Sequence, residues 1–186
     1  MIIPRIIAGS ARGTVLKAPK GDRTRPTIDR TKEALFSILL PRIRDSVVLD
    51  LFAGTGALGL EALSRGALKA YLNDFNADCV SIIKENAIKS RLNELCKITQ
   101  FDFKRAIESI NEKIDIVFLD PPYEKGFITS SIEKLHDNDI ININGLIVCE
   151  HGKNEILEDN MFGFTLIDRR KYGIATISIY KKGEII

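Results

Sequence analysis

From Ser46 onward, short apolar runs alternate with stretches whose apolar residues recur every three or four positions. Val47–Phe52 is a continuous apolar strand, and a glycine-rich turn leads from it into a helix through Glu61–Ser64. Ala70–Asn73 repeats the strand pattern, and the segment from Asn76 to Lys89 puts Val80, Ile83 and Ala87 on one helical face. Cys96–Gln100, Lys104–Ile110 and Ile114–Leu119 read as strand, helix and strand. A helix over Ile128–Leu135 and a strand over Leu146–Cys149 complete the alternation. Phe164–Ile167 and Thr176–Tyr180, separated by the turn-prone Lys171-Tyr-Gly173, predict an antiparallel hairpin. Repeated strand–helix units predict a doubly wound, Rossmann-like α/β sheet, mostly parallel, with ligands outside the carboxyl ends of its strands.

The first residues follow a different pattern. From Arg5 to Lys20, short apolar pieces are broken by Gly9, Gly13 and Pro19, which predicts a small hairpin, and Gly21–Pro26 is a charged loop. Asp29 is placed to cap a helix running to about Leu40, with Ala34, Leu35, Ile38 and Leu39 at helical spacing and Pro41 as its stop. The chain therefore divides into a hairpin and loop over residues 1–28 and an alternating domain over 29–186.

Composition narrows this picture. A chain of 186 residues, 45% hydrophobic and 28% charged, with a net charge of +2, is one globular domain able to bury its own core. No apolar run reaches the ~18 residues of a membrane span. Met1-Ile-Ile-Pro-Arg5 interrupts any hydrophobic leader, so no secretory signal is expected. Cys79, Cys96 and Cys149 fit no CxxC spacing and predict buried thiols in a reducing, cytoplasmic setting. His136 and His151 are the only histidines, and no metal site is expected. Residues 1–32 carry eight basic groups against Asp22 and Asp29, a net of +6, leaving −4 for the rest of a +2 chain. A basic arm on a slightly acidic body suits a protein that grips a polyanion, with Arg12, Lys17, Lys20, Arg23, Arg25 and Arg30 as the candidate contacts, to RNA if the partner is a nucleic acid.

The sharpest local signal is Asp50-Leu-Phe-Ala-Gly54-Thr-Gly56-Ala-Leu-Gly59, a GxGxxG between strand and helix, with Asp74 twenty residues after Gly54. That spacing fits a carboxylate accepting from a ribose. A nicotinamide dinucleotide satisfies the same pattern, and Asp50 discriminates. At the strand tip it would repel a pyrophosphate, whereas it attracts the ammonium and sulfonium of S-adenosylmethionine (SAM). Asp102 and Phe103, beyond the third strand, fit an adenine amine and ring, although Asp102 equally fits a helix N-cap. Phe52 and Phe75 complete the cofactor-facing set with Gly54 and Gly56.

Asp120-Pro-Pro-Tyr123 follows the fourth strand and should project at the same rim. Pro121 and Pro122 stiffen the turn and remove two N–H donors, leaving a site rich in acceptors. The Asp120 carboxylate and the Pro121 carbonyl suit the two hydrogens of an exocyclic amine, turning its lone pair toward a methyl donor. Tyr123 is placed to stack on a swung-out base. A lone tetrapeptide of this kind is otherwise only a strand-ending turn.

At these residues the chain resembles the amino-methylating branch of the class I SAM-dependent methyltransferases. It is more closely similar to the RsmD-type bacterial 16S rRNA (guanine-N2) methyltransferases. The likeness runs through Arg5-Ile-Ile-Ala-Gly9, Arg12-Gly13, Thr24-Arg-Pro-Thr27 with Asp29-Arg30, and Glu33-Ala-Leu-Phe36. It continues through Leu49–Gly54 to Glu61-Ala-Leu63, Asp120–Tyr123 and Glu150-His151. The resemblance implies a seven-stranded sheet, SAM as donor, and the N2 amine of one guanine in 16S rRNA as acceptor. It also implies a partly assembled or mature small ribosomal subunit as substrate. The second strand departs from the family by ending Leu72-Asn-Asp74-Phe75, where an acid followed by a polar or basic residue is usual. An adenine-N6 methyltransferase or a protein-glutamine methyltransferase shares the tetrapeptide chemistry, and a nonenzymatic RNA-binding module with a SAM fold is the reading from outside the enzyme class.

Overall fold

The structure is a computed structural model that describes residues 4–19, 28–123 and 125–183, with side chains of the first helix described from Thr31 onward. Five strands run parallel: β1 (Val47–Asp50), β2 (Lys69–Asn73), β3 (Cys96–Thr99), β4 (Ile114–Leu119) and β5 (Ile141–Gly152). Three more, β6 (Asn160–Met161), β7 (Phe164–Tyr172) and β8 (Ala175–Lys182), extend the sheet antiparallel, in the order β3-β2-β1-β4-β5-β8-β7-β6. Helices α1 (Ile28–Ile43), α2 (Ala57–Ser64) and α3 (Ala77–Lys89) cover one face; α4 (Phe103–Glu108) and α5 (Phe127–Asp137) cover the other.

The apolar runs of the central strands follow from this double cover. Along β4, Ile116 and Phe118 belong to the core under α1–α3, while Val117 and Leu119 belong to the core under α4 and α5. Along β5, Leu146 and Val148 alternate with Ile147 and Cys149 in the same way.

Three local expectations are corrected. The sheet has eight strands and not seven, because the two-residue β6 pairs Met161 with Phe164. A strand that short has no period to read. Pro41 lies inside α1 and does not stop it. Its missing N–H costs one bond in the last turn, and fully buried Ile43 draws that turn into the core. Asp29 falls inside the first turn of α1 and is not its cap.

The N-terminal hairpin is narrow, with one bridge between Arg5 and Val15 and bonds from Ile6 N to Thr14 O and from Leu16 N to Pro4 O. Ile6, Ala11 and Leu16 are buried in the α1–α3 core. Glu61, fully buried on a helix α2 that is apolar but for it and Ser64, fastens this segment. Its carboxylate accepts from Ile7 N at 2.8 Å, Ala8 N at 3.1 Å and Arg65 Nε at 2.7 Å, and lies 3.2 Å from Lys32 Nζ. Lys32 in turn donates to the Arg5 carbonyl.

Removing one partner from a buried charged cluster strands the rest, so Glu61→Ala should cost about 3–5 kcal/mol of stability. Urea denaturation would measure it. Limited proteolysis of the same variant should show early cleavage within residues 4–19, whose amides Glu61 holds.

Candidate active site

The glycine turn is built by a strand that ends in an acid and a helix that packs closely on Leu72 at Gly59. A Cβ on Gly59 would lie 2.1 Å from Leu72 Cδ2, so a side chain at this position of α2 would have to displace the buried Leu72 side chain. Gly54 and Gly56 adopt left-handed backbone (φ 54° and 78°), and a Cβ on Gly54 would meet nothing within 4 Å. At Gly54 the turn therefore presents open backbone to the cleft, whereas Gly56 is buried against Ile83 and Leu60 and does not line it.

Two acids hold it. Asp50 is 1% exposed, and its Oδ2 accepts from Gly59 N at 3.0 Å. Burial, then the neighbouring Asp74 charge, raise its pKa from 3.8 to about 7 despite the Gly59 amide. Asp74 accepts from Gly54 N at 2.8 Å and from Asn76 N at 2.9 Å, so the acid twenty residues on also ties the turn to the tip of β2. Asn73 precedes Asp74 in the strand end that departs from the resemblance. Buried there, it donates to the carbonyls of Leu51 and Phe101 and accepts from Thr99 Oγ1 and Phe101 N. Its amide joins the ends of three strands with every hydrogen-bonding group used.

Beyond β3, Asp102 Oδ1 accepts from Lys104 N and Arg105 N, so Asp102 does cap α4, and it also lines the cleft. Phe52 and Phe103 meet with centroids 6.1 Å apart, and Phe127 joins both at 5.9 and 5.8 Å. Phe75 is 76% exposed at the cleft margin. On the other side stands the tetrapeptide, with Asp120 at the end of β4 and Tyr123 donating to Glu150 Oε1 at 3.0 Å. Adjacent residues of β5 thus part company. Glu150 faces the cleft, whereas His151 is buried on the opposite face, against Ser178 Oγ and the Gly152 carbonyl.

All of Asp50, Phe52, Gly54, Asp74, Phe75, Asp102, Phe103 and Asp120–Tyr123 line one cleft of about 930 Å³. The candidate RNA-binding residues do not gather there. Arg12 is exposed on the hairpin turn, and Lys17 Nζ is paired with Glu85 at 2.7 Å. Lys20, Arg23 and Arg25 lie outside the described residues, and of Arg30 only the helical backbone is described. Sequence reading missed Thr31, Lys32, Phe127 and Tyr172, which reach the cleft from α1, α5 and β7. Phe127 had a local signal, as the aromatic that opens α5 just after the tetrapeptide; the others are brought in by tertiary packing alone.

Burial pushes the Cys96 thiol up to about 12 and the Cys149 thiol higher still, so neither is a nucleophile near neutral pH. Among the described residues, no group of three His, Cys, Asp or Glu is arranged to hold a metal ion, and no helix is long and apolar enough to cross a membrane. The donor set suits a cationic, phosphate-free cofactor: a buried acid with a raised pKa, a second acid beside it, open glycine backbone and an aromatic wall.

Comparison with known proteins agrees with the geometry. The model of the family described as conserved hypothetical protein 95 matches residues 4–181. Ribosomal RNA small subunit methyltransferase D of Haemophilus influenzae is 35% identical over 183 residues, covering 95% of this chain and 93% of the relative. A solved structure from Escherichia coli, the candidate methyltransferase yhhF, superposes with a TM-score of 0.87 at 30% identity, covering 97% of this chain and 98% of its own. An RNA methyltransferase from Salinibacter ruber, solved with S-adenosyl-L-homocysteine, shares the fold at a TM-score of 0.62 and 14% identity, covering 92% of this chain and 96% of its own.

The Asp50 shift makes a stability prediction for the protein without ligand. A carboxyl whose folded pKa is raised favours folding at low pH, and that contribution is lost as pH rises through about 7. Asp50→Asn keeps an acceptor for Gly59 N and carries no charge. It should therefore melt above the wild type at pH 8, by about 2–4 °C for each kcal/mol relieved, and level with it below about pH 4. Thermal melts across that range test it.

Proposed function

The chain belongs to the conserved hypothetical protein 95 family, and on that premise we propose that it methylates the exocyclic N2 amine of a guanine in small-subunit (16S) ribosomal RNA, with SAM as donor. The supporting observation is a single cleft that holds both an acid-flanked glycine turn and an acceptor-rich Asp-Pro-Pro-Tyr turn. SAM, when bound, supplies a methyl group on a positively charged sulfur. Asp50 would receive the ammonium end, whose charge favours the ionised carboxylate, the Asp50 proton passing to solvent. Asp74 accepts from the ribose, and Asp102 with the Phe52–Phe103–Phe127 cluster borders the adenine. Across the cleft, the Asp120 carboxylate and the Pro121 carbonyl accept the two amine hydrogens and turn the nitrogen lone pair toward the methyl group. Pro122 stiffens the turn, and Tyr123, held by Glu150, stacks on the base.

In this reading residues 1–28 are the grip on RNA and residues 29–186 the catalytic domain, working on the small subunit in the bacterial cytoplasm. Because Ile6 and Leu16 are core residues, the grip is tested by neutralising charge and not by truncation. Replacing Arg12, Lys20, Arg23 and Arg25 by Ala should weaken subunit binding and lower the slope of log affinity against log salt by roughly one for each phosphate that is no longer neutralised. An unchanged slope would assign the RNA to another surface.

The reaction itself is tested with labelled SAM and small subunits prepared without the modification. Digestion should yield N2-methylguanosine, and recovery of N6-methyladenosine instead would refute the choice of base. Asp120→Ala should lower turnover at least ~100-fold with SAM affinity retained, as expected when an oriented acceptor is removed from the transition state.

A further inference from the structure

At the carboxyl end of β5 the antiparallel strands set their residues in rows across the sheet. Gly152 is in register with Ala175, and Ala175 with Tyr172. Partners in direct register project from the same face. That face is the cleft's, since Tyr123, Tyr172, Ala175 and Ile177 all line it. The Tyr123 ring packs over Gly152, where a Cβ would lie 3.5 Å from its Cδ2 and 3.7 Å from its Cγ. Two residues with almost no side chain thus form a floor with a tyrosine at each end. Strands ~4.8 Å apart give that floor a span of ~10 Å from Gly152 to Tyr172. Such a span accommodates two successive aromatic contacts, each ~4.5–7 Å between centroids, and hence one planar ring system between two walls.

A second, independent feature points into the same space. Thr31 lies one turn ahead of Leu35 on α1, and Leu35 packs in the core with Ile177. Thr31 lines the cleft and is only 7% exposed, and its Oγ1 has no hydrogen-bond partner among the described residues. A buried hydroxyl left unpaired is unfavourable and calls for a partner, which the polar edge of a base would supply.

We infer that Tyr172 and Thr31 hold the acceptor base. The swung-out purine stands over the Gly152–Ala175 floor with its faces toward Tyr123 and Tyr172, and Thr31 Oγ1 bonds to its edge. This assignment rests on the RNA-methylating reading and adds to it a wall, the β7–β8 hairpin, that no motif marks.

The test compares initial rates on unmodified small subunits with SAM affinity by calorimetry, using the full chain. Tyr172→Ala should raise the KM for subunits about tenfold, and Tyr172→Phe should restore it, because the ring and not the hydroxyl stacks. SAM affinity should stay within about twofold in both, since the effect concerns the acceptor alone. Thr31→Val should melt at or above the wild type, having shed an unpaired hydroxyl, and yet show a raised KM for subunits. Unaltered kinetics in Tyr172→Ala, beside an active wild type, would overturn the assignment alone. A parallel loss of SAM affinity would likewise overturn it, since Tyr172 would then be a structural residue. Absence of methyl transfer by the wild type would instead overturn the underlying reading and this assignment with it.

Discussion

A charged residue in the middle of a short apolar helix has to be answered by donors, and in α2 the answer comes from outside the helix. Glu61 draws in the amides of Ile7 and Ala8, the ammonium of Lys32 and the guanidinium of Arg65, all around one fully buried carboxylate. Three chain segments are thereby fixed relative to one another before any ligand is present. The front wall of the cleft is made by two of them, with Pro4 from the hairpin and Thr31, Lys32 and Leu35 from α1. An apolar residue at position 61 would pack against the same neighbours but would take the carboxylate away from the Ile7 and Ala8 amides and from the Lys32 and Arg65 charges, and burying such groups costs more than burying carbon.

The same device recurs at the rim with a different consequence. Asp50 binds Gly59 N, and Asp74 binds Gly54 N, so each acid secures the glycine turn while remaining beside the cleft. Their mutual repulsion adds to burial in raising the Asp50 pKa. With a pKa of about 7 the Asp50 carboxyl is partly protonated near neutral pH, and a cation beside it would favour the charged form. A pyrophosphate would add to the repulsion, which is why the acid at the strand tip separates the two cofactor classes that a glycine pattern alone leaves together.

Much of this is legible from the residues. The span Ile114–Leu119 reads as the strand that β4 is, and the helix from Asn76 is α3 with Asn76 as its cap. The glycine turn and the tetrapeptide fall at one rim because strand–helix alternation puts every strand's carboxyl end on the same side. What escapes is of two kinds. Some features have too few residues to show a period, such as β6, or are overridden by packing, such as Pro41 inside α1. Others depend on register across distant strands: nothing near Tyr172 in the sequence says that it shares a row with Ala175 and Gly152. The one local clue to a tertiary anchor is Glu61 itself, a lone acid among Ala57, Leu58, Leu60, Ala62 and Leu63.

The cleft is consequently unequal at its two ends. The end beside β1 and β2 is acidic and built from local turns, and it excludes phosphate as strongly as it welcomes a cation. On the proposed reading, a polyanionic substrate would approach from the end walled by Tyr123, Ile174 and Tyr172, where the lining acids are Asp120 and Glu150. Glu150 is engaged by the Tyr123 hydroxyl. Delivering one neutral base across that wall, with its phosphates left outside, reconciles an acidic cofactor end with a nucleic-acid substrate.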